Sequence, residues 1–173
     1  METTIDRLFL DYSVQRLRQL TGRIDECLNR LSNEQIWARG AENENAVGNL
    51  LLHLCGNVRQ WIIANIGGKP DVRERDREFS ARGGQSKTEL LGLLHATVGE
   101  ALAIIGSVRA ETLTERRVIQ GEDVSVLEAI YQVVQHFSMH AGQIIFATKA
   151  FTGADLGFYR HLEPGAAHGR ATP

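Results

Sequence analysis

Three histidines in this sequence have the side chains and the spacing to bind one metal ion. His136 and His140 lie four residues apart in a helical pattern, so both imidazoles can face the same point. His53 lies 83 residues before His136, on another predicted helix. Imidazole suits zinc or nickel, and we expect one of these ions at His53, His136 and His140. Spacing alone leaves an alternative open, in which these are three separate core histidines whose rings are hydrogen-bonded and bind no metal.

The positions of these histidines within their helices favour the metal interpretation. His140 falls on the apolar stripe of its helix, where leucine or isoleucine would pack better. A buried imidazole needs partners for its ring nitrogens, because an unpaired buried polar group costs free energy. Four amide side chains flank the histidines and could orient the ligands or a bound water. These supporting candidates are Asn49, Asn57, Gln132 and Gln143.

A set of three histidines without a fourth protein ligand is typical of an open, catalytic site rather than a structural one. A metal there would lower the pKa of a bound water, or polarise a substrate thiol or carbonyl group. The His-Glu-x-x-His motif of zinc proteases is absent, since Phe137 follows His136. No glutamate base accompanies the pair, and we assign no catalytic residue from the sequence.

Four long predicted helices must hold these side chains in place. Only three prolines occur, and two lie in the last ten residues, which favours uninterrupted helices. Capping boxes mark helix starts at Ser32, Ser86 and Ser125. The long helices are predicted at residues 4–31, 46–66, 86–110 and 125–151. We therefore predict an all-α four-helix bundle, with at least one crossover because the connecting segments are long.

The composition predicts a single globular domain. The chain has 173 residues, of which 43% are hydrophobic and 23% charged. We place the domain at residues 1–162 and expect the tail, residues 163–173, to be disordered. The net charge of −2 lacks the basic excess of a nucleic-acid-binding protein. The charged linker, residues 69–82, has nearly balanced charge and is interpreted as a solvated face or a lid.

The sequence also indicates a cytoplasmic protein without a membrane span. The N-terminal residues include Glu2, Asp6 and Asp11 and have no long apolar core, unlike a signal peptide. Cys27 and Cys55 lie in apolar helical contexts and are expected to be buried, unpaired thiols.

Residues 129–148 carry no formal charge over 20 positions, the length of a membrane span. Their polar residues argue against contact with lipid: Gln132, Gln135, His136, Ser138, His140 and Gln143.

The sequence resembles the DinB-like (YfiT-like) superfamily of small bacterial metal-binding four-helix bundles, and is most similar to a branch of unknown function. The resemblance covers residues 1 to about 160. Its most specific feature is the histidine of the second long helix, followed about 80 residues later by His-x-x-x-His. The matching segments are Asn49-Leu50-Leu51-Leu52-His53-Leu54, Arg75-Asp76-Arg77-Glu78-Phe79, His136-x-x-x-His140-x-x-Gln143-Ile144 and Asp155-Leu156-Gly157-Phe158-Tyr159.

This resemblance implies an up-down-down-up bundle, a homodimer, and zinc or nickel bound by His53, His136 and His140. Members with known activity are mostly transferases or isomerases that use bacillithiol, mycothiol or glutathione. We therefore expect a metal-dependent enzyme that activates a low-molecular-weight thiol, or a water, for attack on a small-molecule substrate. The alternatives are a hydrolase of a small amide or ester, and a non-enzymatic bundle that binds a metal or a small ligand.

Overall fold

The computed structural model describes residues 4–162, apart from the side chain of His161, and is mostly helical. The predicted tail, residues 163–173, lies outside the described residues. Four helices are long: α1 (Ile5–Arg30), α3 (Val47–Val58), α5 (Lys87–Ser107) and α6 (Val126–Thr152). The shorter elements are α2 (Asn33–Trp37), a π-helical turn (Arg59–Ala64), α4 (Arg75–Ser80), 3-10 turns at Ala110–Thr114 and Arg160–Leu162, and strands β1 (Arg116–Ile119) and β2 (Glu122–Ser125).

The three predicted capping boxes are confirmed as helix starts. In each, the serine hydroxyl accepts a hydrogen bond from the backbone N–H three residues later. The side chain at that third position accepts one from the serine N–H, so two otherwise unpaired donors of the first turn are satisfied. The pairs are Ser32 with Gln35, Ser86 with Glu89, and Ser125 with Glu128.

Each long helix packs on two others, because α1 and α3 both contact α5 and α6. Arg7, near the start of α1, donates to the carbonyl oxygen of Gly106 at the end of α5, at 3.2 Å. These two helices therefore run in opposite directions. Cys27, near the end of α1, interacts with Thr148 near the end of α6, so α1 and α6 run in the same direction.

The apolar stripes of the four long helices meet in one hydrophobic core. Along α6 the predicted stripe is buried from Val126 to Ile144, and Phe151 at its end is 41% exposed. The stripe consists of Val126, Ile130, Val133, Phe137, His140, Ile144, Ala147 and Phe151. His140 lies within this stripe and is only 9% exposed. Cys27 and Cys55 are both buried and unpaired, as predicted.

A small antiparallel hairpin of β1 and β2 precedes α6 and corrects the all-α prediction. The turn places Gln120 and Gly121 at φ values of 54° and 84°, the left-handed region that two-residue hairpin turns need. The sequence showed only a short extended stretch near Val118, because Gln-Gly lacks the strong turn signal of Asn-Gly.

The helix that carries His53 also differs from its prediction. A continuous α-helix to Ile66 was expected, whereas the α-helical pattern ends at Val58 and a π-helical turn, Arg59–Ala64, follows. Such turns widen the helix locally and are frequent near functional sites. Its first residue, Arg59, lies six positions after His53.

Among the described residues, one helix, α5, is long and apolar enough to cross a membrane by length and composition alone. One such helix is weak evidence, because a core helix passes the same test. The apolar stripe of α5 packs into the core: Leu90, Leu94, Val98, Ala101 and Ile105 are buried. The uncharged stretch 129–148 lies within α6, which the same criterion does not select.

Candidate metal centre

The three predicted ligands meet between α3 and α6. The Nε2 atom of His136 lies 3.0 Å from Nε2 of His53 and 3.1 Å from Nε2 of His140. One ligand atom from each ring can be chosen so that all three lie within 4.8 Å of one another. The ring centroids are 4.4–5.0 Å apart, and the rings meet edge to face.

Helix geometry explains this convergence. His136 and His140 are one turn apart on α6, so their side chains project from neighbouring positions on one face. His140 occupies a position of the apolar stripe and must point into the interior. His53 projects from the facing side of α3, where it is 6% exposed.

Two of the nitrogen–nitrogen separations are close to the separation that a bound metal ion requires. Zinc–imidazole bonds of about 2.0–2.1 Å at a tetrahedral angle place two ligand nitrogens about 3.3 Å apart. The contacts of 3.0 and 3.1 Å to His136 are slightly shorter than this separation. Three neutral imidazoles are a ligand set that zinc and nickel accept.

The electrostatic surroundings keep the imidazoles of α6 neutral. The pKa of His136 is lowered to about 4, chiefly by burial and then by the charges of His140, His53 and Arg73, while Glu78 partly opposes the shift. Burial also lowers the pKa of His140, which a hydrogen bond with Gln143 partly opposes. Because a metal binds the neutral imidazole, these shifts suit a ligand role at neutral pH.

The four supporting amides occupy different places. Gln143 contacts a ligand directly, with its Oε1 2.6 Å from Nδ1 of His140. Asn49 instead donates to the carbonyl oxygens of Glu78 and Ala81, at 2.8 and 3.0 Å, and so holds the linker. The Asn57 Oδ1 and Gln132 Oε1 atoms are buried without a hydrogen-bonding partner among the described residues.

The charged linker, residues 69–82, contributes a buried ion pair that the sequence did not predict. Glu78, on α4, is 7% exposed, and its Oε2 lies 2.8 Å from Nδ1 of His53. Arg73 donates to both carboxylate oxygens, from Nε to Oε1 at 2.7 Å and from Nη2 to Oε2 at 2.8 Å. The interpretation of the linker as a solvated face is therefore wrong for Arg73 and Glu78.

The missed residues left a signal in the sequence. Glu78 belongs to the segment Arg75-Asp76-Arg77-Glu78-Phe79, which carries part of the resemblance. Its neighbour Phe79 packs on the ring of His53, with centroids 4.7 Å apart. An aromatic residue within a charged run indicates a segment that docks on the protein.

The carboxylate of Glu78 fits closely against α3. A Cβ atom at Gly56 would lie 1.9 Å from Oε1 of Glu78, so only glycine leaves room there. Burial acts to raise the pKa of Glu78, but hydrogen bonds with Arg73 and His53 outweigh it and the pKa is lowered. Glu78 is therefore ionised at neutral pH.

Two cavities flank the histidines without being lined by them. One lies between α3 and the charged linker and includes Gly56, Arg73 and Glu78 in its wall. The other, of about 670 Å³, lies between α3 and α6 and is mostly apolar. Gln143 lines this second cavity, which therefore reaches within one hydrogen bond of His140.

Two other side chains of metal-binding type, His95 and Glu78, do not reach the converging nitrogens. His95 pairs with Asp25 at 3.0 Å, and its side chain is 56% exposed. Glu78 contacts the Nδ1 side of His53, opposite the converging Nε2 atoms. Within residues 4–162, the cluster that could hold a metal consists of His53, His136 and His140.

These features define a mostly helical protein with a three-histidine cluster between two of its long helices. A family model described as "Protein of unknown function (DUF1572)" matches residues 4–160, and the chain belongs to this family. Its fold is similar to the crystal structure of a conserved protein from Enterococcus faecalis. That likeness has a TM-score of 0.69 and 18% identity, and covers 83% of this chain and 97% of the other. No functionally curated protein matches the chain.

Proposed function

We propose that His53, His136 and His140 bind one divalent metal ion, zinc or nickel. The observation that carries the proposal is the convergence of three imidazole Nε2 atoms, since those of His53 and His140 lie 3.0 and 3.1 Å from that of His136. Neutral imidazole nitrogens carry lone pairs, and lone pairs directed at one another repel unless a cation or a proton lies between them. A metal ion relieves that repulsion.

We further propose that the chain is a member of the DinB-like superfamily, with its long helices in an up-down-down-up four-helix bundle. Two contacts support the directions of the helices. Arg7 bonds to Gly106, which makes α1 and α5 antiparallel, and Cys27 interacts with Thr148, which makes α1 and α6 parallel. The connection from α3 to α5, which includes α4, would be a crossover along the outside of the bundle.

The proposed activity is metal-dependent attack of a low-molecular-weight thiol, or of water, on a small electrophile. When bound, the metal would supply a Lewis acid that lowers the pKa of a thiol or a water. The apolar cavity between α3 and α6 could hold a substrate near Gln143, which contacts His140. In transfer, the thiol would give its proton to solvent, and its sulfur would form a bond to the carbon of the electrophile as the bond from that carbon to its leaving group breaks; the leaving group departs with the electron pair.

A second candidate is a bundle that binds metal without catalysis. Burial of the ligands favours it, since His53 is 6% exposed and His140 is 9% exposed. Neither flanking cavity is lined by a histidine of the cluster. A metal sealed from solvent would serve as a structural or sensing element.

An assay with zinc- or nickel-loaded protein separates these functions. The protein is incubated with bacillithiol, mycothiol or glutathione and a set of electrophiles, and thioether products are detected by mass spectrometry. Parallel incubations with small esters and amides test hydrolysis. Turnover that is lost in His136→Ala but kept in His95→Ala supports an enzyme. Tight metal binding without turnover of any substrate favours the non-catalytic candidate.

We also propose that the protein acts in the cytoplasm as a homodimer on a small-molecule substrate. Two free buried thiols suit a reducing compartment. Exposed apolar side chains on α1 and α6 suit a contact between copies: Ile5, Leu8, Tyr12, Tyr131 and Phe146. Sedimentation velocity at several concentrations tests the dimer, and a monomer throughout would refute it.

A further inference from the structure

We propose that Glu78, held by Arg73, is a positioning residue that fixes the tautomer and the orientation of His53. The inference rests on the proposed function in one respect, since it takes His53 to be a metal ligand. Glu78 would act through His53 and touch neither the metal nor the substrate.

The proton between Glu78 and His53 must belong to the imidazole. Arg73 donates to both oxygens of Glu78, at 2.7 and 2.8 Å, a fork that recognises an ionised carboxylate. An ionised carboxylate can only accept a hydrogen bond. The 2.8 Å contact between Nδ1 of His53 and Oε2 of Glu78 is therefore a hydrogen bond that the Nδ1–H group donates to the carboxylate.

This assignment leaves the opposite ring nitrogen free for a metal. A neutral imidazole carries one ring proton, so Nδ1–H makes Nε2 of His53 an acceptor. That Nε2 atom is the one that points at His136, at 3.0 Å. A histidine with the proton on Nε2 would have to lose it before binding a metal.

Competition from Arg73 does not change the assignment. The Nη2 atom of Arg73 lies 3.2 Å from Nδ1 of His53, so Arg73 could in principle donate to that nitrogen. The same Nη2 atom lies closer to Oε2 of Glu78, at 2.8 Å, and the carboxylate carries the opposite charge. The guanidinium proton therefore goes to Glu78, and Nδ1 of His53 keeps its own.

Several contacts hold Glu78 in this position. Asn49 donates to the backbone carbonyl oxygen of Glu78 at 2.8 Å, which fixes the start of the side chain. Gly56 provides the space for Oε1. Arg73 in turn donates from Nη1 to Oε1 of Gln60, at 2.9 Å, and is anchored to the π-helical turn. A carboxylate fixed at this many points can hold a ring in one rotamer.

The same contacts argue against Glu78 as a general base. Both of its oxygens are engaged by Arg73, and Oε2 also faces His53. It lies on the Nδ1 side of His53, with the imidazole ring between it and the converging Nε2 atoms. A substrate bound at the metal would meet the far side of that ring.

The test compares Glu78→Ala and Glu78→Gln with Glu74→Gln. Glu74 is on the same linker, pairs with Arg77, and has a side chain that is 59% exposed, so it is a matched control. Ring-nitrogen NMR of metal-free protein reports the tautomer of His53, and competition with a zinc chelator reports zinc affinity. Circular dichroism checks that each variant folds.

We expect His53 to carry its proton on Nδ1 in the wild type and in Glu74→Gln. In Glu78→Ala the ring should populate the Nε2–H tautomer, and zinc affinity should fall about 10–100-fold. Glu78→Gln keeps a carbonyl acceptor of similar size and should lose less affinity. If Glu78→Ala does not fold, the same comparison is made between Glu78→Gln and the control.

Two readouts separate this inference from the proposed function. A tautomer and a zinc affinity that are both unchanged in folded Glu78 variants would overturn the inference, while metal binding itself would stand. A wild type that binds neither zinc nor nickel, with a tautomer that still responds to Glu78, would refute the metal role and leave the positioning of the ring supported.

Discussion

The position of His140, a histidine on a buried apolar stripe, indicates the candidate metal site by itself. His140 occupies a stripe position that apolar residues fill elsewhere along α6, and it is 9% exposed. A histidine in such a place needs a partner for each ring nitrogen. Gln143 satisfies Nδ1, and Nε2 faces His136, so the partner of Nε2 is the metal in our proposal.

Gly56→Ala is predicted to destabilise the protein and to displace Glu78. The added methyl group would lie 1.9 Å from Oε1 of Glu78, so the carboxylate or the helix must move. Overpacking of this kind costs about 1–3 kcal/mol of unfolding free energy. Chemical denaturation measures the change.

Gly99→Ala on α5 is the matched control for this substitution. A methyl group there meets nothing within 4 Å, and glycine in a helix is less stable than alanine. We expect a gain of about 0.5–1 kcal/mol, opposite in sign to the effect at position 56. Equal effects at both positions would contradict the close fit of Glu78.

The stability of metal-free protein is predicted to fall as the pH is lowered from about 6.5 toward 4. Burial lowers the pKa of folded His136 to about 4, whereas the unfolded chain takes up the proton near the ordinary value of 6.5. The unfolded state therefore binds more protons in this window, and acid favours unfolding. Urea denaturation at several pH values tests this, and His136→Ala should flatten the profile.

Some residues of the candidate site could be predicted from the sequence and others could not. The three histidines were identified from helical spacing and from a polar residue on an apolar stripe. Glu78 and Arg73 were not, because a charged run with balanced charge looks solvated. These two residues can be buried because their charges neutralise each other. Their burial also requires that the linker docks on α3, a contact between segments that are distant in sequence.

At the scale of elements, local signals predicted helix starts well and irregular segments poorly. The three capping boxes are short-range patterns and were confirmed. The π-helical turn, the hairpin and α4 were missed. α4 has six residues and owes its position to packing on α3, so neither length nor periodicity marks it in the sequence.

Asn49→Ala is predicted to loosen the charged linker while leaving the long helices intact. The amide of Asn49 holds the carbonyl oxygens of Glu78 and Ala81, and its loss leaves both without these donors. Trypsin should then cleave faster after the linker arginines. Asn45→Ala, at an exposed position of the preceding loop, is the control and should not change the cleavage rate.

At the scale of the whole molecule, we predict that the buried apolar residues are sufficient for folding without a metal. The buried residues of the four long helices form one cluster, and the histidines lie at its edge between α3 and α6. A domain of this size does not need an ion to complete its core, unlike a zinc finger. The sequence predicted this mostly helical architecture because the apolar stripes are long and regular.

Removal of metal by a chelator is therefore predicted to leave the helical circular dichroism unchanged. The protein should lose only the part of its stability that the free energy of metal binding to the folded state supplies, so the melting temperature should fall without the fold being lost. Thermal unfolding followed at 222 nm measures both quantities. Loss of helicity on chelation would show that the site is structural, and would count against an open catalytic position.

The metal content of purified protein and of two histidine variants is the most direct test of the proposed centre. Elemental analysis should find about one zinc or nickel ion per chain in the wild type, which is the central claim. The control His95→Ala, whose residue pairs with Asp25 away from the cluster, should keep that content. His140→Ala removes one of the three converging nitrogens and should contain almost no metal. Full metal content in His140→Ala, or none in a folded wild type incubated with zinc and nickel, would contradict the account.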